Sequence, residues 1–251
     1  MIKVQEVQAK GILNKSKVYD YCLNPYTGCQ VGCRYCYASL FMTRYSGHKE
    51  PWGEFVDAKI NAPELLRKQL VRAKRGTVWV SSVCDPYQPL EATYRLTRRC
   101  LEELAARQFP VNIQTKSALV LRDLDLFERF QEIEIGFTVA TDDESMARLF
   151  EPGSSPLAER LAALSILHSH RIKTFAFVGP LLPGNAEKLA DLLADRVDRV
   201  LIDRMNYVPM IKSFYARQGL AEFLEDRFFF EQRDKLRAAL GKRGVDHETL
   251  F

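Results

Sequence analysis

Short β-rich runs alternate with longer amphipathic stretches over most of this chain, and that alternation narrows the available folds more than any other feature. Strand candidates lie at 77–83, 111–115, 133–140, 172–178 and 199–202, with a weaker first one at 18–24. Helical patterns separate them at 62–74, 94–107, 121–130, 156–170, 186–194 and 220–240; in the second of these Leu96, Cys100, Leu101 and Leu104 share one face. Helix-length connections imply parallel strands joined by right-handed crossovers, hence an α/β fold with outer helices. Six such units exceed what a small flavodoxin-like sheet needs and fall two short of a full (β/α)8 barrel. Residues 77–82 read Thr-Val-Trp-Val-Ser-Ser, apolar and then polar at the end where such folds place their chemistry. The 251 residues, 47% hydrophobic, suffice for one large core, and no Pro/Gly/Ser linker divides them. The expectation is one domain over 1–240, with 1–17 as an N-terminal extension and a polar, frayed tail at 241–251.

Net charge is +4, and basic residues are interleaved with acidic ones, as in Arg122-Asp-Leu-Asp and Glu225-Asp-Arg. This excess permits a nucleic-acid partner without arguing for one. No stretch approaches the roughly 18 apolar residues of a membrane span. Residues 1–10 alternate apolar and polar, without the basic-then-apolar pattern of a secretory signal. The expectation is a soluble, cytoplasmic protein with no membrane partner.

Cysteines stand at 22, 29, 33, 36, 84 and 100, four of them within fifteen residues. That clustering reads as a metal site in a reducing compartment, not as a disulfide scaffold. In Asn24-Pro-Tyr-Thr-Gly-Cys29-Gln-Val-Gly-Cys33-Arg-Tyr-Cys36-Tyr-Ala, three thiolates in a Gly-containing loop can each take one iron of a compact iron–sulfur cube. A fourth iron is then open to a chelating small molecule unless Cys22 reaches it. The competing reading is a closed zinc site on Cys22, Cys29, Cys33 and Cys36.

Cys-x3-Cys-x2-Cys with the aromatic Tyr35 before its last cysteine resembles the signature of the radical SAM superfamily. The resemblance extends to Trp52-Gly, Ser81-Ser-Val-Cys-Asp-Pro-Tyr-Gln-Pro-Leu-Glu91, Thr115-Lys-Ser, Glu151-Pro and Arg160, over roughly residues 8–210. With these it is similar to the spore photoproduct lyase-like branch, often labelled "DNA repair photolyase". The resemblance implies a partial (β/α)6 barrel and a [4Fe–4S] cluster on Cys29, Cys33 and Cys36. It also implies S-adenosylmethionine (SAM) chelated to the fourth iron and cleaved to a 5′-deoxyadenosyl radical. A reducing partner such as flavodoxin or ferredoxin would supply the electron.

The resemblance also suggests cofactor-binding residues: Tyr35 in the loop, and Ser81, Ser82 and Asp85 around the SAM amine, although this chain lacks the Gly-rich element usual there. Lys116 is a candidate for the SAM carboxylate and Thr138 for the ribose, with Thr141 nearby. Arg160 would bind the carboxylate or pair with Glu151. Asp-Pro turns, solvated lysines and half-buried strand threonines are the plain alternatives for most of these. Cys84 is a candidate hydrogen donor: the family's donor thiol aligns with Ser82, and a two-residue shift along a strand restores the face. A small buried side chain is the other reading of Cys84, and Cys100 reads as core. The four histidines read as structural.

The leading expectation is therefore a radical SAM enzyme abstracting hydrogen from an unidentified substrate. Spore photoproduct lyase-like DNA lesion repair is one alternative. A non-enzymatic zinc or iron–sulfur binding module is the other.

Overall fold

The structure, a computed structural model, describes residues 2–250 and falls into two compact units. The first comprises the residues up to Gly32 together with Ala38–Ile135; the second comprises Cys33–Tyr37 and the residues from Gly136 on.

In the first unit the elements run β1 (Lys3–Val7), β2 (Leu13–Lys15), β3 (Tyr21–Leu23), β4 (Tyr26–Thr27), α1 (Ala38–Ser46), β5 (Phe55–Lys59) and α2 (Ala62–Leu70). They continue with β6 (Val78–Val80), α3 (Glu91–Tyr94), α4 (Leu96–Ala105), β7 (Val111–Thr115), a 3-10 turn (Ala118–Asp123) and α5 (Leu124–Phe127). Strands β3, β6 and β7 are parallel, with Tyr21 opposite Val78 and Val78 opposite Val111. Strand β2 pairs antiparallel with β3. A separate sheet has β1 parallel and β4 antiparallel to β5. The 1–17 segment thus contributes a strand to each sheet. The α4 face carrying Leu96, Cys100, Leu101 and Leu104 is buried, each leucine contributing about 1.5–3 kcal/mol.

The strand candidate at 77–83 is corrected by the backbone: β6 ends at Val80, because Ser81 takes φ +66°, a left-handed conformation that cannot continue a strand. Ser82 and Cys84 therefore lie on a loop, and strand alternation does not relate their faces.

The chain passes into the second unit within β8 (Ile133–Thr138). There follow α6 (Glu144–Phe150), α7 (Leu157–Ser169), β9 (Lys173–Val178), α8 (Ala186–Leu193), β10 (Arg199–Ile202), α9 (Val208–Arg217), a 3-10 turn (Ala221–Leu224), α10 (Asp226–Lys242) and β11 (Asp246–Thr249). Asp143 caps α6 by accepting from the Ser145 and Met146 amides, and Asn185 caps α8 through the Lys188 amide. Strands β9, β10 and β11 are parallel. At Gly136 an added Cβ would stand 2.4 Å from the Phe175 ring, so glycine lets β8 and β9 pack closely. The frayed tail expected at 241–251 is also corrected. Asp246–Thr249 pair with β10, Arg199 opposite Asp246, and the Leu250 amide donates to the Ile202 carbonyl at 3.0 Å. Its polar sequence suits an edge strand with solvent on one side.

Among the described residues, no helix is long and apolar enough to cross a membrane.

Candidate functional site

The cysteine loop opens on backbone that only glycine can supply. At Gly28, φ is +86° and an added Cβ would lie 2.3 Å from the Phe55 carbonyl oxygen. At Gly32, φ is +59° and an added Cβ would meet the Gly53 Cα at 3.3 Å, so two glycine backbones cross here. Between them Cys29 is buried.

The 81–91 segment is stitched to this loop. The Gln30 amide donates to Gln88 Oε1 at 2.9 Å, and the Leu90 amide donates back to Gln30 Oε1 at 2.6 Å. The Asp85 amide donates to Cys29 Sγ at 3.3 Å. Glu91, fully buried, accepts from the Tyr26 hydroxyl at 2.5 Å and from Arg122 at 2.8 Å, and also receives the Thr97 and Arg98 amides at the start of α4. Sequence reasoning missed these links. Glutamines at 30 and 88 carried no signal beyond their place in the two motifs.

Asp85 is buried, and its carboxylate closes a turn. Oδ1 accepts from the Thr115 hydroxyl at 2.6 Å and the Tyr87 amide at 2.9 Å, while Oδ2 accepts from the Lys116 amide at 2.7 Å. Three of its roughly four acceptor positions are thus filled. Burial raises its pKa, opposed by the Thr115 hydrogen bond and the Lys116 charge. Lys116, half-buried, is held by its backbone at the end of β7. Ser82 exchanges hydrogen bonds with the Asn24 side chain, and Asn24 Oδ1 also accepts the Val83 amide at 3.1 Å. Ser81 is buried beside them in sequence.

Cys84 packs against a cluster of Tyr26, Val56, Ala58 and Leu96. Burial pushes its thiol up to about 12, opposed by the Ser81 hydroxyl and the Lys59 charge. Lys59 Nζ donates to the Asn24 carbonyl at 2.8 Å. Cys100 is core, as expected. Cys22 lies in β3 opposite Trp79, half-buried.

In the second unit the Cys33–Cys36 turn is closed by the Cys36 amide donating to the Cys33 carbonyl at 3.2 Å, and the Arg34 amide donates to the Phe150 carbonyl at 2.8 Å. The Tyr35 hydroxyl donates to Glu151 Oε1. Glu151 Oε2 takes Arg160 Nη1 at 2.5 Å, with both side chains 1% exposed. Arg160 donates further to the carbonyls of Thr138 (3.0 Å) and Ser155 (2.7 Å) and to Ser154 Oγ (2.6 Å). Of the two roles open to Arg160, the pairing with Glu151 is the one observed. Burial, with the Glu151 charge second, raises the Tyr35 pKa. Thr138 is buried and its carbonyl is the Arg160 acceptor; Thr141 donates to the Pro183 carbonyl at 2.7 Å.

The first unit therefore gathers Cys29, Ser81, Ser82, Asp85 and Lys116 on two stitched loops and one strand end. The second gathers Cys33, Tyr35, Cys36, Thr138 and Arg160 around a buried ion pair. His48 bridges Asp57 and Glu50 at 2.9 Å each and stacks on Phe55, which makes it structural. No described cysteine is in a disulfide. Among the described residues, no three His, Cys, Asp or Glu side chains converge to hold a single metal ion.

Comparison with known proteins gives these features a family setting. The family model described as Radical SAM superfamily matches residues 23–196. An uncharacterized protein of Methanocaldococcus jannaschii is 37% identical over 184 residues, covering 72% of this chain and 69% of its own length. A protein of Pseudomonas phage M6 named radical SAM Nalpha-GlyT isomerase is 24% identical over 162 residues, 64% of this chain and 33% of the phage protein. Spore photoproduct lyase in complex with dinucleoside spore photoproduct superposes with a TM-score of 0.72 at 16% identity, covering 99% of this chain and 82% of that one. The fold is thus shared with that enzyme, parallel strands and outer helices included.

Proposed function

The chain belongs to the Radical SAM superfamily, and from that premise we propose that Cys29, Cys33 and Cys36 hold a [4Fe–4S] cluster beside a bound SAM. When bound, these groups supply a 5′-deoxyadenosyl radical able to take a hydrogen atom from a substrate. The chain's own residues bind, orient and shield.

The observation that carries this reading is the Asp85 amide on Cys29 Sγ at 3.3 Å. Amide donors to sulfur stabilise thiolate charge and tune cluster potential. The same Asp85 fixes the Lys116 amide through its carboxylate. One residue therefore sets both a cluster ligand and the lysine we assign to the SAM carboxylate. Ser81, Ser82 and the remaining acceptor position of Asp85 are assigned to the amine, and Thr138 to the ribose. Tyr35 and Arg160 act through Glu151, as positioning residues for the turn that carries Cys33 and Cys36. Cys84 is assigned as hydrogen donor on the ground that it lies in the 81–91 segment that hydrogen bonds stitch to the Cys29 loop.

A [4Fe–4S] cube takes one thiolate per iron, so its three cysteines need not converge on one ion. An acidic one-electron donor protein, flavodoxin or ferredoxin, completes the reading. Protein reconstituted without oxygen should be brown, carry about four iron per chain in line with one such cube, and release 5′-deoxyadenosine from SAM under dithionite. Colourless protein, or brown protein that leaves SAM intact, would remove this proposal.

A further inference from the structure

Helix α1 is built backwards for a globular protein. Its apolar residues recur at the spacing that ordinarily faces a core: Leu40, Phe41 and Tyr45, one and four residues apart, with Arg44 among them. Yet only Ala38 of this helix is buried. Leu40 is 45% exposed, Phe41 51% and Tyr45 80%. Single exposed apolar residues are ordinary, but a stripe of them on one face marks an interaction surface. Aromatic residues and arginine are also the types that anchor interfaces.

Two facts select the occupant. From Ala38 to Lys49 the chain has no aspartate or glutamate, while Arg44 and Lys49 are both exposed, so the segment favours an acidic partner. The stripe also begins four residues after Cys36, and four residues of chain reach at most about 14 Å. Leu40 is therefore joined to a proposed cluster ligand by no more than that length of chain. We propose that the outward stripe of α1 is the docking surface for the acidic protein that reduces the cluster, an inference that rests on the radical SAM reading above. One electron leaves the donor, which is oxidised by one, and enters the cluster; no bond forms or breaks. Electron-transfer interfaces are small, under about 1,200 Å² in total, a size that one helix face and its surroundings can serve.

The test uses reconstituted holoprotein and purified flavodoxin. Binding is read by fluorescence anisotropy of labelled flavodoxin, and 5′-deoxyadenosine is measured with photoreduced flavodoxin or with dithionite. Phe41→Ser and Arg44→Glu, with iron content and circular dichroism matched to the parent, are expected to weaken flavodoxin binding by about tenfold or more. Flavodoxin-driven SAM cleavage should fall in parallel, and added salt should weaken binding to the parent protein. Dithionite-driven cleavage should be unchanged in both variants. Equal flavodoxin binding by parent and variants overturns the surface, as does a parent that flavodoxin neither binds nor reduces. So does a parent dimer that Phe41→Ser splits, or an oligonucleotide whose binding the variants abolish. Dithionite failing to drive SAM cleavage in the parent would instead bring down the radical SAM reading, and this surface with it.

Discussion

The Tyr35 hydroxyl donates to one oxygen of Glu151 whose other oxygen holds Arg160. A residue between two cysteines of the motif is thereby fastened to a buried ion pair more than a hundred positions later in the chain. Arg160 spreads its remaining donors over the Thr138 and Ser155 carbonyls and the Ser154 hydroxyl, so no arm of the guanidinium is left over. A buried pair satisfied in this way adds less to net stability than its geometry suggests, but breaking it is costly.

Glu151→Gln leaves a buried guanidinium without its counter-charge. It should destabilise the apoprotein by about 3–5 kcal/mol. Tyr35→Phe removes one hydrogen bond to a charged acceptor and should cost about 1.5–3 kcal/mol. Urea unfolding of the two variants measures both. A Glu151→Gln protein as stable as the parent would mean that Arg160 finds other partners.

On the proposed cluster, Cys29→Ala, Cys33→Ala and Cys36→Ala should each abolish assembly, because each would remove the sole protein ligand to one iron. Cys22→Ala should retain full iron, since Cys22 sits in β3 opposite Trp79 as part of a sheet. Iron and sulfide analysis after anaerobic reconstitution decides it. An equal loss in all four variants would require a four-cysteine site.

Asp85→Asn keeps the backbone amide that reaches Cys29 but replaces the oxygen that receives the Lys116 amide. SAM affinity should fall about ten- to a hundredfold while iron content stays whole. Calorimetric titration of SAM into reconstituted protein reads the first quantity and absorbance the second. Undiminished SAM binding would place the amine and carboxylate contacts elsewhere.

His48 predicts a pH dependence with a definite sign. Burial would lower its pKa, but the hydrogen bonds to Asp57 and Glu50 outweigh it, and the net shift is upward. A raised folded-state pKa stabilises fully below the unfolded value of about 6.5 and is lost as pH rises through the folded value. The thermal midpoint should therefore decline above about pH 6.5, and His48→Gln should flatten that decline. A parent profile identical to the variant's would show that His48 does not titrate.

Much of this was legible beforehand, for identifiable reasons. Strands such as Lys173–Val178 and Arg199–Ile202 contain continuous apolar runs, Phe175–Val178 and Val200–Ile202, and so carry a clear apolar signal. Two of the strands that sequence reasoning missed lack it. Lys3–Val7 is mostly exposed, and Asp246–Thr249 is a polar edge; each is a strand because a neighbour supplies its hydrogen bonds. The end of β6 was unreadable because a serine, not a glycine, takes the left-handed turn at Ser81. In the site, cysteine spacing announced itself, whereas the Gln30–Gln88 clasp and the Asp85 amide on Cys29 depend on tertiary pairing of two loops.

The proposed donor role of Cys84 is open to a direct test. Its thiol, pushed up to about 12, stays protonated at neutral pH, and only the S–H form has a hydrogen atom to give. The same burial suits plain packing against Tyr26, Val56, Ala58 and Leu96. Two measurements on Cys84→Ala separate these roles. If the side chain only packs, the variant loses about 1 kcal/mol of stability and turns over substrate normally. If it donates, SAM cleavage under dithionite continues, while turnover with the true substrate stalls or diverts. In heavy water, product from the parent should then carry deuterium from the exchanged thiol, and any product of the variant should draw its hydrogen from another source. Normal product from Cys84→Ala at the parent rate would end the donor role.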